Sequence, residues 1–227
     1  MEKASNKTVF DLKVTLPKPE DGAQEELLQQ ASILSQKVVA VLNSGEDFPK
    51  SSLHELFGLY NHLHTCVQAG AVLGFTFMSL GEYPAMRDTF KNLILEHGPH
   101  APLLFYQALA EEKLNNKQKA LDLLQQIIAN GEKNLWVYLG AARLQHDLGD
   151  FSESISMANL AVYENEDESI EPFVILAKNF HAIDELSKML ECFSRIEKMK
   201  GKDALKDIGP LFLAFEKMYN NLKNIKL

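Results

Sequence analysis

Along most of the chain, apolar residues recur at spacings of three and four, and short turn signals interrupt the runs. Between residues 67 and 100 this pattern predicts two helices split at Leu80-Gly81-Glu82-Tyr83. The first carries Leu73, Gly74 and Phe77, and the second carries Met86, Phe90, Leu93 and Ile94 on one stripe. Gly81 suits the helix end, because glycine adopts left-handed dihedrals without a Cβ penalty. Gly74 lies inside the first helix, where glycine costs about 1 kcal/mol against alanine. The expected compensation is close approach of the second helix.

The pattern repeats. Steps of 34 residues lead from Gly74 to Ala108 and Ala142, from Gly81 to Asn115 and Gly149, and from Phe90 to Leu124 and Ala158. Leu93 leads to Ile127 and Ala161, and Ile94 to Ile128 and Val162. The windows are 67–100, 101–134 and 135–168, without insertions, and a fourth falls at 170–203 after a one-residue slip. In that window Leu176, Ala177 and Phe180 take the apolar, small and aromatic places, Asp184 stands at the turn, and Met189, Phe193 and Ile196 continue the second helix.

A helix–turn–helix unit of this period resembles the tetratricopeptide repeat. Leu73, Gly74, Phe77, Gly81 and Tyr83 follow that family's pattern, as do Ala108, Ala120 and Leu121, and then Tyr138, Ala142, Gly149-Asp150-Phe151 and Ala161. Met86 and Ser154 depart from it where the family prefers alanine, and Glu111 and Gln145 replace its aromatic. The closing proline is missing at 98, 132 and 166. The resemblance implies an all-α, tetratricopeptide-like helical-hairpin solenoid with N-terminal helices and a C-terminal capping helix.

Outside the repeats, residues 1–20 read as an extended arm, with Phe10, Leu12, Val14 and Leu16 alternating with polar residues and Pro17 and Pro19 closing the segment. Residues 21–66 read as a helical pair, which is open to being a divergent repeat. Asp21 with Gln24 makes a capping pattern for a helix over 22–42, whose apolar residues cover two faces. One face suits the next helix and the other a second copy of the chain, so a homodimer through the arm or this helix is an open expectation. A second helix runs from Ser51 or Ser52 to about Val67, with Leu53, Leu56, Phe57, Tyr60, Leu63 and His64 on its inner side. Residues 204–227 form the cap, with Pro210 in the first helical turn and Leu211, Phe212, Phe215, Met218, Tyr219 and Leu222 on its apolar face.

In tetratricopeptide arrays the first helix of each unit lines a concave groove. Carried over by register, the family's groove positions select Ala71, Phe75 and Met78, then Phe105 and Leu109, then Trp136, Leu139, Arg143 and His146, with Val174 and Lys178 from the fourth unit. Phe77 and Phe90 are expected in the core, while Phe75 and Met78 face a client. A patch this apolar suits a hydrophobic peptide or an amphipathic helix. The Lys, Asn and Arg clamp with which some family members grip acidic chaperone tails is replaced here by Ala71, Phe75, Phe105 and Leu109. In layout the chain is similar to the class II chaperones of type III secretion, although longer. That likeness implies a chaperone or assembly adaptor, and the alternative is a fixed subunit of a larger complex.

Composition narrows the classes. The chain has 227 residues, is 46% hydrophobic and 24% charged, and carries a net charge of −8, which fits a folded protein without a global field for nucleic acid. Residues 195–227 hold eight Lys or Arg against four Asp or Glu and read as a basic terminal surface. Two cysteines, Cys66 and Cys192, make no disulfide framework and favour a reducing compartment. The first residues lack the apolar core of a secretion signal, and no run is long enough to cross a bilayer, so the expected location is cytoplasmic. His62 and Cys66 share a helix face but offer only two of the ligands zinc needs. Glu96, His97 and His100 sit in a turn, and no phosphate loop, nucleophile elbow or HExxH occurs. The expectation is a non-catalytic protein that uses no cofactor or metal.

Overall fold

The computed structural model describes residues 16–44, 55, 58, 65–165 and 169–225. Residues 1–15 of the expected arm and the inner side of the helix after Ser51 lie outside the described residues. The fold is an all-α array of helical hairpins, and the described residues contain no strand. Among the described residues ten helices follow in order: α1 (Gly22–Ser44), α2 (Val67–Leu80), α3 (Tyr83–His97), α4 (Ala101–Lys113), α5 (Lys117–Ala129), α6 (Leu135–Leu148), α7 (Phe151–Tyr163), α8 (Glu171–Ala182), α9 (Leu186–Lys200) and α10 (Pro210–Ile225), with a 3-10 helix at Lys202–Ile208 before α10. The chain divides into two compact units, Met1–Ile127 and Ile128–Leu227.

The turns are built alike. Gly81, Asn115, Gly149 and Asp184 all have positive φ, at 74°, 63°, 88° and 59°. The residue after each donates its N–H back to the carbonyl of Phe77, Glu111, Gln145 or Phe180. This closes the first helix of each hairpin and satisfies carbonyls that the helix end leaves unpaired. The 35-residue step from Gly149 to Asp184 is the slip expected for the fourth window.

In the first unit α1 packs on α2, and α2, α3 and α4 pack in sequence. The Asp21 carboxylate accepts from the Gln24 N–H, while the Gln24 side chain reaches back to Glu20 N–H, so a capping pair starts α1. Ala31, Leu34 and Val38 of α1 are buried, whereas Ile33, Val39 and Leu42 stay exposed. Leu16, at the end of the expected arm, is buried, and its carbonyl accepts from Gln68 of α2 at 3.4 Å. Phe77 and Phe90 are fully buried. A Cβ on Gly74 would stand 2.5 Å from two atoms of the Phe90 ring, and one on Gly70 would stand 2.5 Å from Leu93. The helix glycine therefore marks a close approach of α3 to α2. Glu111, at the register of Phe77, is fully buried and is neutralised by Lys119 and hydrogen-bonded by Asn116.

In the second unit α6 pairs with α7, α7 with α8, and α8 with α9. Met189, Phe193 and Ile196 are buried in α9. Phe212 and Tyr219 of α10 sit edge-on to Phe193, with ring centroids at 5.4 and 5.9 Å. The Tyr219 hydroxyl donates to Glu197 at 2.5 Å, so α10 is fastened to α9 by both aromatic packing and a charge-assisted hydrogen bond.

Candidate functional site

In the first unit Phe75 and Met78 on α2, and Phe105 and Leu109 on α4, are half-buried and rest against the core. Their three- and four-residue spacing puts each pair on one helix face. Phe75 meets Tyr106 edge-on at 4.4 Å, and Phe105 meets the same ring at 5.3 Å. Burial pushes the Tyr106 phenol up, so it stays neutral within this aromatic cluster. Phe75 therefore supports the core while exposing part of its ring. Ala71, expected in the groove, is fully buried (0%) because α1 packs on α2 and the residue joins the core beneath.

In the second unit Trp136 is 38% exposed, Arg143 is exposed and His146 is half-buried. Leu139 is only 3% exposed, since α8 packs on α6 and Leu139 lies in the core with Ile175 and Leu176. Ala71 and Leu139 are thus core residues and offer no surface to a client. Among the carried-over positions of the fourth window, Val174 is half-buried and Lys178 is exposed.

Sequence reasoning missed a buried polar chain behind His146. The Ser154 hydroxyl donates to the Ala142 carbonyl at 2.6 Å, the Asn179 amide donates to Ser154 at 2.6 Å, and the Asn179 oxygen faces His146 Nδ1 at 2.7 Å. Ser154 and Asn179 are both fully buried. A hydroxyl has one proton, and Ser154 spends it on the carbonyl, so it receives the amide N–H. The amide oxygen is then left for His146, which must carry its proton on Nδ1. The one available signal was Ser154 itself, a polar residue where the family prefers alanine. The Ser–Asn–His order makes no nucleophile, because the serine proton is committed and the oxygen is sealed from solvent. Among the described residues, no group of three or more His, Cys, Asp or Glu is placed to hold a metal ion. No helix among them is long and apolar enough to cross a membrane.

Neither a protein-family model nor a curated protein sequence matches the chain. Solved structures do. A crystal structure of MamA protein aligns at a TM-score of 0.64 and 16% identity, over 78% of this chain and 94% of that one. MamA 41-end from Desulfovibrio magneticus RS-1 aligns at 0.62 and 16% identity, over 75% and 95%. A MamA structure from MSR-1 aligns at 0.59 and 14% identity, over 77% and 98%. These are tetratricopeptide-like helical proteins, and at such low identity the likeness establishes that this chain shares their helical-hairpin fold.

Proposed function

We propose that the chain is a non-catalytic protein-binding module, a chaperone or assembly adaptor that holds an apolar segment of a polypeptide client on the face formed by the first helices of its hairpins. The observation that carries this reading is the quartet Phe75, Met78, Phe105 and Leu109, which is anchored on the core yet keeps part of each side chain in solvent. Half-buried apolar groups of this kind are rigid before binding and lose little further entropy when a partner covers them. Methionine and aromatic rings also adapt to varied apolar ligands. Taken by itself, the second unit also has an exposed aromatic on a first helix, Trp136.

The test is a peptide-binding assay with Met78→Glu combined with Leu109→Glu. The double variant is expected to lose retention of apolar peptides while its melting stays within a few degrees of the parent protein. Unchanged retention would refute the reading. A permanent-subunit role has its own supporting observation: Leu95, Tyr163 and Leu213 are exposed outside this quartet, at 73%, 84% and 64%. On that reading the chain self-associates when made alone, which sedimentation velocity measures.

A further inference from the structure

The polar chain behind His146 ends in a cleft of the second unit. The cleft measures about 450 Å3 and is lined by His146 and Asp147 of α6, Phe151 of α7, Lys178, His181 and Ala182 of α8, and Leu211 of α10. Two of its rings are braced: His146 packs against Phe151 at 5.5 Å between centroids, and His181 meets Phe215 edge-on at 5.3 Å. His146 is held harder still, because its Nδ1–H points inward to the buried Asn179 oxygen. In that tautomer the second ring nitrogen, Nε2, carries a lone pair and lies on the side of the ring away from the chain. The cleft therefore offers a fixed hydrogen-bond acceptor at His146, a cation at Lys178, and apolar walls at Phe151 and Leu211.

We infer that this cleft is a subsite for one acidic residue of a bound polypeptide, whose backbone N–H donates to His146 Nε2 and whose carboxylate meets Lys178. An apolar neighbour of that residue then packs on Phe151 and Leu211. A free inorganic anion would use Lys178 but has no need of a preset acceptor, whereas a polypeptide brings donor and carboxylate together. Asp147 on the same rim repels a carboxylate, so the favourable contact for the acid is confined to Lys178. The inference rests on the protein-binding reading and specifies what the second unit recognises.

The test uses the full chain on an array of ten-residue peptides. Glu-Phe and Glu-Leu pairs are set in a Gly-Ser background, beside versions with Gln for Glu, versions with N-methylated Glu, and purely apolar peptides. An exposed ion pair and a neutral hydrogen bond each correspond to about two- to fivefold in affinity, so Gln and N-methyl versions should each bind about two- to fivefold more weakly. Lys178→Gln should erase the Glu-over-Gln preference and leave the N-methyl effect, and His146→Phe should do the reverse. Lys178 is exposed, so its substitution leaves the fold intact, and the tautomer is read independently from the 15N shifts of the His146 ring. Equal binding of Glu and Gln peptides, or a preference that survives Lys178→Gln, overturns the inference while retained apolar peptides keep the protein-binding reading. Retention of no peptide at all overturns both.

Discussion

Substituting alanine for Gly74 tests the packing that holds the first hairpin together. In an open helix the change should stabilise by about 1 kcal/mol, the usual advantage of alanine over glycine. Here the new Cβ would lie 2.5 Å from Cε2 and Cζ of Phe90. That ring is fully buried and stacks on Tyr106 at 5.6 Å, with Phe75 at 5.8 Å. It cannot retreat without disturbing both neighbours, and overpacking of this kind costs about 1–3 kcal/mol. Set against the helix gain, the net effect runs from near zero to a destabilisation of about 2 kcal/mol, or a Tm lower by up to roughly 8 °C for a chain of this size. Urea and thermal melts followed by circular dichroism measure it. Phe90→Leu removes the clashing atoms, so the double variant Gly74→Ala, Phe90→Leu should lose less than the two single losses combined. A Gly74→Ala protein more stable than its parent, with additive behaviour in the double variant, would show that α2 and α3 do not meet as described.

Further expectations concern the second unit. Ser154→Ala restores the family's preferred residue, yet it should destabilise by about 1–3 kcal/mol because it orphans the buried Asn179 amide; a gain in stability would refute the role of the polar chain. Burial, with the Glu197 hydrogen bond, raises the Tyr219 phenol above its ordinary value of about 10. Its contribution is therefore complete below pH 10 and is lost as pH rises through the higher folded value. Tyr219→Phe should cost about 1 kcal/mol at neutral pH and remove that alkaline loss, as melts between pH 7 and 11 would show. Burial, reinforced by Glu191, pushes the Cys192 thiol up to about 12, so iodoacetamide at pH 8 should label it only after unfolding; rapid labelling of the native protein would contradict this burial.

What was legible in the sequence follows from which residues face a steep local constraint. Positive φ restricts turn positions to residues such as Gly81, Asn115, Gly149 and Asp184, so the hairpin turns stand out at a glance. A glycine inside a helix is costly enough that Gly74 signalled its neighbour. Burial on the groove side was less legible, because register places Ala71, Phe105 and Leu139 alike while the surrounding helices decide which of them is covered. Phe105 keeps part of its ring in solvent, whereas Ala71 and Leu139 lie in the core. The His146 chain was hidden for another reason. Its members come from three helices, and only Ser154 reads as a departure from the repeat pattern, while His146 reads as a groove position; their mutual hydrogen bonds alone join them. The resemblance to type III secretion chaperones rests on layout alone, and the solved structures reported above support the hairpin fold and not that likeness.

Photo-crosslinking gives the direct test of whether a client lies on the first-helix face. Benzoylphenylalanine is placed at Met78, at Leu109 and, as a control, at the exposed Lys91 of α3, and the full chain is irradiated in cells that make it. A discrete polypeptide adduct is expected from positions 78 and 109, absent from 91, with mass spectrometry placing the crosslink on an apolar segment of the partner. Equal adducts from all three positions, or none from 78 and 109, would contradict it.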